Sequence, residues 1–232
     1  MSAQRPARRS SRSLLWAAWG LAIALLVGVA AGFVLLRPSA PPPSTARVSR
    51  ASPSSGALGF SRLVGEQAPA FSLLDQFGHL HSVSSFRGKG VLLTFVSSRC
   101  TNICPLIASL LLRTKELLGM QSRDTELVAV NANPRYTSVR DVLRWSQTHS
   151  MAHRWLFLTG PPTGSSGPVT GLASVWHSYG VVGGGAHTTI VFVIDPRGRI
   201  RTVVPIAQRS SLDAEAHALA RFVRGIEGRN AA

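Results

Sequence analysis

Apolar residues fill positions 14–36, LLWAAWGLAIALLVGVAAGFVLL, without a single charge. That is enough chain for a helix to cross about 30 Å of hydrocarbon, which takes roughly 20 residues. A core helix of this length would carry a polar stripe, and none is present, so the run reads as one transmembrane helix. Residues 38–59, PSAPPPSTARVSRASPSSGALG, reverse the pattern. Large apolar side chains are scarce there, so the segment cannot bury enough surface to offset its own ordering. It reads as a spacer stiffened locally by prolines. From about Gly65 short apolar runs alternate with helical stretches, the pattern of a sheet with covering helices. The chain therefore divides into a tail (1–13), a transmembrane helix (14–36), a Pro/Ser/Ala-rich linker (37–62) and one domain (63–228).

Within the domain, residues 90–97 (GVLLTFVS) form a continuous β-branched and aromatic run suited to a buried central strand. A helix is predicted over 105–120, with Pro105 in its first turn. Residues 127–131 read as a second strand, 139–149 as a helix, 155–158 as a short strand and 172–179 as a short helix. A strand pair over 188–194 and 200–204 is predicted across Asp195-Pro196-Arg197-Gly198, a strong turn sequence. Residues 212–226 close the chain as an amphipathic helix. The order βαβ then ββα predicts an α/β, thioredoxin-like fold with an N-terminal hairpin and an insertion in the middle.

Charge fixes the orientation of this arrangement. Arg5, Arg8, Arg9 and Arg12 precede the apolar run with no acid among them, which keeps the N-terminus cytoplasmic and sends the domain across the cell membrane. The run is longer than a signal-peptide core and is followed by Pro38 and Pro41, so an uncleaved single-pass anchor is expected. No cysteine lies near its end, which excludes a lipid-modified N-terminus. The formal net charge of +15 suggests nucleic acid until it is divided along the chain. Seven arginines lie before residue 61; setting them aside leaves 18 basic residues against 10 acids, a net of +8. These are scattered, with no basic and aromatic stripe to track a phosphate backbone, so no nucleic acid is expected. A basic surface facing an acidic partner or anionic lipid fits better.

Only two cysteines exist, Cys100 and Cys104, in SSRCTNICP, directly after the central strand and entering a helix. Helix N-terminal amides favour thiolates, and Arg99 adds local positive charge, so both sulfurs are expected to be acidic and reactive. Beyond the membrane the pair can oxidise to a disulfide. A purely structural bridge is the weaker reading, because closing so short a loop removes little unfolded-state entropy. Two functional readings remain open. One is a thiol–disulfide exchanger in which Cys100 attacks and Cys104 resolves. The other is a pair of thiolate ligands: three intervening residues rather than two rotate the second sulfur by about 100° around the forming helix. Soft thiolates select Cu(I), zinc or iron–sulfur clusters, and two cysteines alone complete neither a structural zinc site nor a cluster. A peroxidase is a weaker third option: a hydroxyl three residues before Cys100 fits, but the expected proline is missing.

A metal would need a third ligand. His187, in GGGAHTTIVFVID, stands at the entrance of a late strand, where a thioredoxin topology faces the cysteine loop. The glycines before it permit close backbone approach. His177 reads as a surface residue, and His79 and His81 as part of a solvated hairpin. His149, His153 and His217 read as exposed. Asn131 and Asn133 are expected to shape a turn, and Trp155, Phe157 and Trp176 to lie in the core.

Together these segments resemble the SCO/SenC family of copper chaperones of cytochrome oxidase assembly. The resemblance covers roughly residues 63–228 and rests on DQFGHLHSVSSFRGK, LLTFVSSRCTNICP with its CxxxCP, VWHSYGV, and the late His followed by a strand and IDPRGRIR. It implies a membrane-tethered thioredoxin-like domain in which Cys100, Cys104 and His187 bind one copper ion and pass it to the binuclear copper site of cytochrome c oxidase subunit II. A thiol-reducing role toward that site's cysteines is also implied. The chain departs from the family where acidic residues are common, reading Thr101-Asn102 and Ala186, and it reads NANPRYTS after the second strand. The three ligand types are kept. A binding protein, rather than an enzyme, is the expectation.

Overall fold

A computed structural model describes residues 60, 62–182, 189–206 and 211–228 of the chain. The basic tail, the expected transmembrane run, the linker up to residue 59, and His187 lie outside the described residues. Among those described, no helix is long and apolar enough to cross a membrane.

The central sheet has five strands. β3 (Gly90–Val96) lies in its middle, parallel to β4 (Thr125–Asn131) and antiparallel to β8 (Ile190–Ile194). β5 (Leu156–Leu158) extends the sheet beyond β4 in parallel, and β9 (Ile200–Pro205) extends it beyond β8 antiparallel. The spatial order is β5-β4-β3-β8-β9. Four α-helices among the described residues accompany it: α1 (Ile103–Leu118), α2 (Val139–Thr148), α3 (Leu172–Ser178) and α4 (Leu212–Gly228). Every expected strand and helix of the domain is present, with ends displaced by at most two residues.

All seven residues of β3 are buried because both sheet faces are covered, which is why its sequence is continuously apolar rather than alternating. Leu92 and Val96 point into a core with Ile107 and Leu111 of α1, Trp145 of α2, and Leu219 and Val223 of α4. Val91, Leu93 and Phe95 point the other way, toward Phe71, Phe192 and Tyr179. The polar member of the run, Thr94, donates its hydroxyl to the Ile190 carbonyl at 2.8 Å and so causes no penalty. α1 and α4 lie side by side over the first core, joined at their rims by Arg113 Nε to Asp213 Oδ1 at 2.8 Å and Arg224 Nη1 to the Leu117 carbonyl at 2.8 Å.

The front hairpin pairs β1 (Ser72–Leu74) with β2 (Leu80–Ser82). Its turn is organised by Asp75, only 2% exposed, whose Oδ1 accepts the amides of Phe77 and His79. Gln76, fully buried, donates to the carbonyls of Ala152 and Trp155 and accepts the Phe157 amide at 2.8 Å, fastening the hairpin to the start of β5. The turn between β8 and β9 repeats the device: Asp195 Oδ1 accepts the amides of Arg197 and Arg199, and Gly198 takes a positive φ of 79° there. A two-residue hairpin of β6 (Ser165–Ser166) and β7 (Val169–Thr170) fills the middle insertion.

Candidate functional site

The cysteine loop joins β3 to α1, where the chain leaves the buried centre of the sheet. Asn102 caps α1, its Oδ1 accepting the Ile103 amide at 2.7 Å. The same oxygen accepts the Cys100 thiol at 3.3 Å. The Cys104 amide donates to Cys100 Sγ at 3.3 Å, so the first sulfur sits against an N–H of the helix start. Both residues are free thiols and both are buried, 5% and 2% exposed respectively.

Burial corrects one expectation. The Cys104 thiol is pushed well above the ordinary cysteine range, first by desolvation and then by its hydrogen bond with Cys100. Its place on the inner face of α1, among Val96, Ile107 and Trp145, outweighs the helix N-terminus. In the metal-free protein Cys104 is therefore a protonated thiol rather than an acidic one.

A second shell of hydrogen bonds fixes the loop. Trp145 Nε1 donates to the Cys100 carbonyl at 2.7 Å. Asn131, fully buried at the end of β4, accepts the Ser98 amide and the Asn133 amide through Oδ1 and donates to the Tyr136 carbonyl at 2.8 Å through Nδ2. Asn133 donates to Ser97 Oγ at 3.0 Å and accepts the amides of Arg135 and Tyr136. Ser98 Oγ donates to the Tyr136 carbonyl at 2.7 Å, and the Arg99 guanidinium lies 4.6 Å from the Tyr136 ring centre. The NANPRY segment thus forms the turn expected of its asparagines and braces the cysteine loop as well. Trp145 was not singled out by the sequence, although its spacing from Val142 on the apolar face of α2 placed it inward.

The histidines fall into separate places. His177 is exposed, as expected. His79 and His81 both bond Asp75 Oδ2, at 3.3 and 2.9 Å, so the hairpin is less solvated than its sequence implies; His81 also stacks on Phe86. His153 is exposed and stacks on Phe77. His149 is half-buried against Trp145, ring centres 4.2 Å apart, and burial lowers its pKa. His217 is half-covered on α4 beside Asp213. Trp155, Phe157 and Trp176 are core residues. Among the described residues no group of three or more His, Cys, Asp or Glu is arranged to hold a metal. The site as described supplies two sulfur ligands, and the expected third ligand, His187, lies outside it.

Solved structures share this fold. ScoI of Bradyrhizobium japonicum with copper bound is 20% identical at a TM-score of 0.52, covering 67% of this chain and 99% of that one. ScoI of Arabidopsis thaliana with copper bound is 19% identical at 0.55, covering 68% and 98%. Yeast Sco1 is 18% identical at 0.54, covering 68% and 95%. A search of curated proteins finds no match. The family model described as SCO1/SenC matches residues 63–224, more than half of the chain and all five strands of the central sheet, and the chain belongs to that family.

Proposed function

We propose that this protein is a membrane-anchored copper metallochaperone whose domain works outside the cytoplasm. Cys100, Cys104 and His187 bind one copper ion, and the ion passes to the binuclear copper site of cytochrome c oxidase subunit II. The observation that carries the reading is the pair of thiols held at the β3–α1 junction by Asn102, Trp145 and the NANPRY turn, in a chain of the SCO1/SenC family. The copper-bound relatives of the same fold support it. Two thiolates with one imidazole form a soft, three-coordinate set that favours Cu(I). Transfer proceeds by exchange of one ligand at a time with the acceptor's thiolates, so the ion is never free. The charge-free run at 14–36 behind four arginines supports the anchor and its orientation.

The test is transfer. Copper-loaded full-length protein mixed anaerobically with the metal-free copper domain of subunit II should leave copper bound to the acceptor when the two are separated and assayed for metal, and Cys100→Ser protein should not. Equal transfer by that variant would defeat the reading.

A second reading rests on the 3.3 Å bond from the Cys104 amide to Cys100 Sγ, which suits an attacking thiolate. Cys100 would attack a partner disulfide, release one partner thiol and form a mixed disulfide. Cys104 would then displace the second partner thiol, leaving Cys100 and Cys104 oxidised to each other.

A further inference from the structure

A cleft of about 260 Å³ opens beside the cysteine loop, between that loop and α2. Arg99 and Thr101, the two sequence neighbours of Cys100, both line it, as does Trp145, whose indole holds the Cys100 carbonyl. The cleft is therefore lined by both residues that flank Cys100 in sequence, while Cys100 itself is packed in the core behind it.

Its lining has the chemistry of an anion site. Two arginines, Arg99 and Arg144, are among its lining residues. Arg144 has no side-chain hydrogen bond or ion pair among the described residues, and Arg99 only stacks on Tyr136. The acid in the lining, Asp141, is turned toward the start of α2, where its Oδ2 accepts the amide and hydroxyl of Ser138. Two hydroxyls are likewise directed away, from Ser98 to the Tyr136 carbonyl and from Thr148 to the Arg144 carbonyl. Thr101 and the His149 ring remain as neutral polar groups. Two arginines beside the Trp145 indole are side chains suited to a planar carboxylate on a short aliphatic stem. The volume suits one side chain and falls below the roughly 300–1,000 Å³ of ordinary small-molecule pockets.

We propose that this cleft is a docking subsite that receives an acidic side chain of the protein to which the metal is passed, laying that protein's main chain alongside Cys100. The inference rests on the delivery reading above. Charge complementarity favours a protein-borne acid over a free anion: beyond residue 60 this chain is itself net basic, which steers an acidic surface toward it.

The test uses the full-length chain and a dye-labelled pentapeptide with three central glutamates, beside its glutamine counterpart. Anisotropy should report binding of the glutamate peptide only, weakening as salt rises from 50 to 200 mM and falling about tenfold or more in R99Q/R144Q. The indole N–H resonance of Trp145 should shift on binding. Absence of binding, equal binding of the glutamine peptide, or full binding by the double variant would overturn the proposal. A Trp145 shift with free succinate but none with the peptide would overturn it in favour of a free-anion site. Copper stoichiometry, measured on the same wild-type and variant preparations, should be equal. Loss of copper binding by the wild type would instead count against the delivery reading and leave the peptide result to stand on its own.

Discussion

The indole N–H of Trp145 points at the backbone of Cys100, donating to its carbonyl oxygen at 2.7 Å, so a core helix reaches directly under the thiol loop. The ring also stacks on Trp155 and meets Phe157 edge-on, which holds it in one orientation. Trp145→Phe keeps an aromatic ring but leaves the Cys100 carbonyl without its donor. Chemical denaturation should show a loss of about 1–3 kcal/mol. A loss under about 0.5 kcal/mol would mean that the bond contributes little to holding the loop.

Asn131 is the common anchor of the two loops beside the thiols. Asn131→Ala removes both acceptor bonds to the Ser98 and Asn133 amides and the donor bond to the Tyr136 carbonyl, in a fully buried place. About 2–4 kcal/mol of stability should be lost, since several buried backbone groups are orphaned together. Amide exchange around residues 97–100 should speed up along with it. Unchanged exchange there would show that the brace is not needed.

Much of this architecture was legible in the chain itself. The continuous apolar run of β3 announced a strand buried on both faces, and CxxxCP placed the thiols at the entrance of α1. Asp195-Pro196-Arg197-Gly198 marked its turn because only a few residues tolerate that geometry. The β6–β7 hairpin was not legible: two-residue strands around exposed serines have no alternation to detect. Nor was the role of Gln76, whose partners lie about eighty residues away. The cysteines show the limit most clearly. Their sequence neighbours promised acidity, but the burial that raises Cys104 depends on what the fold packs around α1.

Reactivity should follow that burial. In the reduced, metal-free protein Cys104 should alkylate with iodoacetamide at pH 7.5 at least about tenfold more slowly than a free cysteine, because little of it is thiolate and little is exposed. Peptide mapping after timed quenching measures this. A rate equal to that of free cysteine would contradict the buried, protonated state.

Acid stability should carry the mark of Asp75. Burial alone would raise its carboxyl, but the amides of His79 and Phe77 and the rings of His81 and His79 outweigh it and hold the group below its ordinary 3.8. A depressed folded pKa stabilises the fold above the unfolded value and loses that contribution as pH falls through the folded value. Asp75→Asn should thus cost about 2 kcal/mol at pH 7, and the gap between wild type and variant should shrink as pH falls from 3.8 through the lower folded value. A gap that persists undiminished in acid would contradict the linkage.

The most direct test of the central claim is anaerobic Cu(I) titration of the reduced full-length chain against a competing chelator, comparing wild type with His187→Ala and Cys104→Ser. The account predicts one tight equivalent in the wild type, lost or weakened at least about a hundredfold in each variant, since each removes one of three ligands. No stoichiometric binding by the wild type, or undiminished binding by both variants, would contradict it and leave the dithiol exchanger as the better description of Cys100 and Cys104.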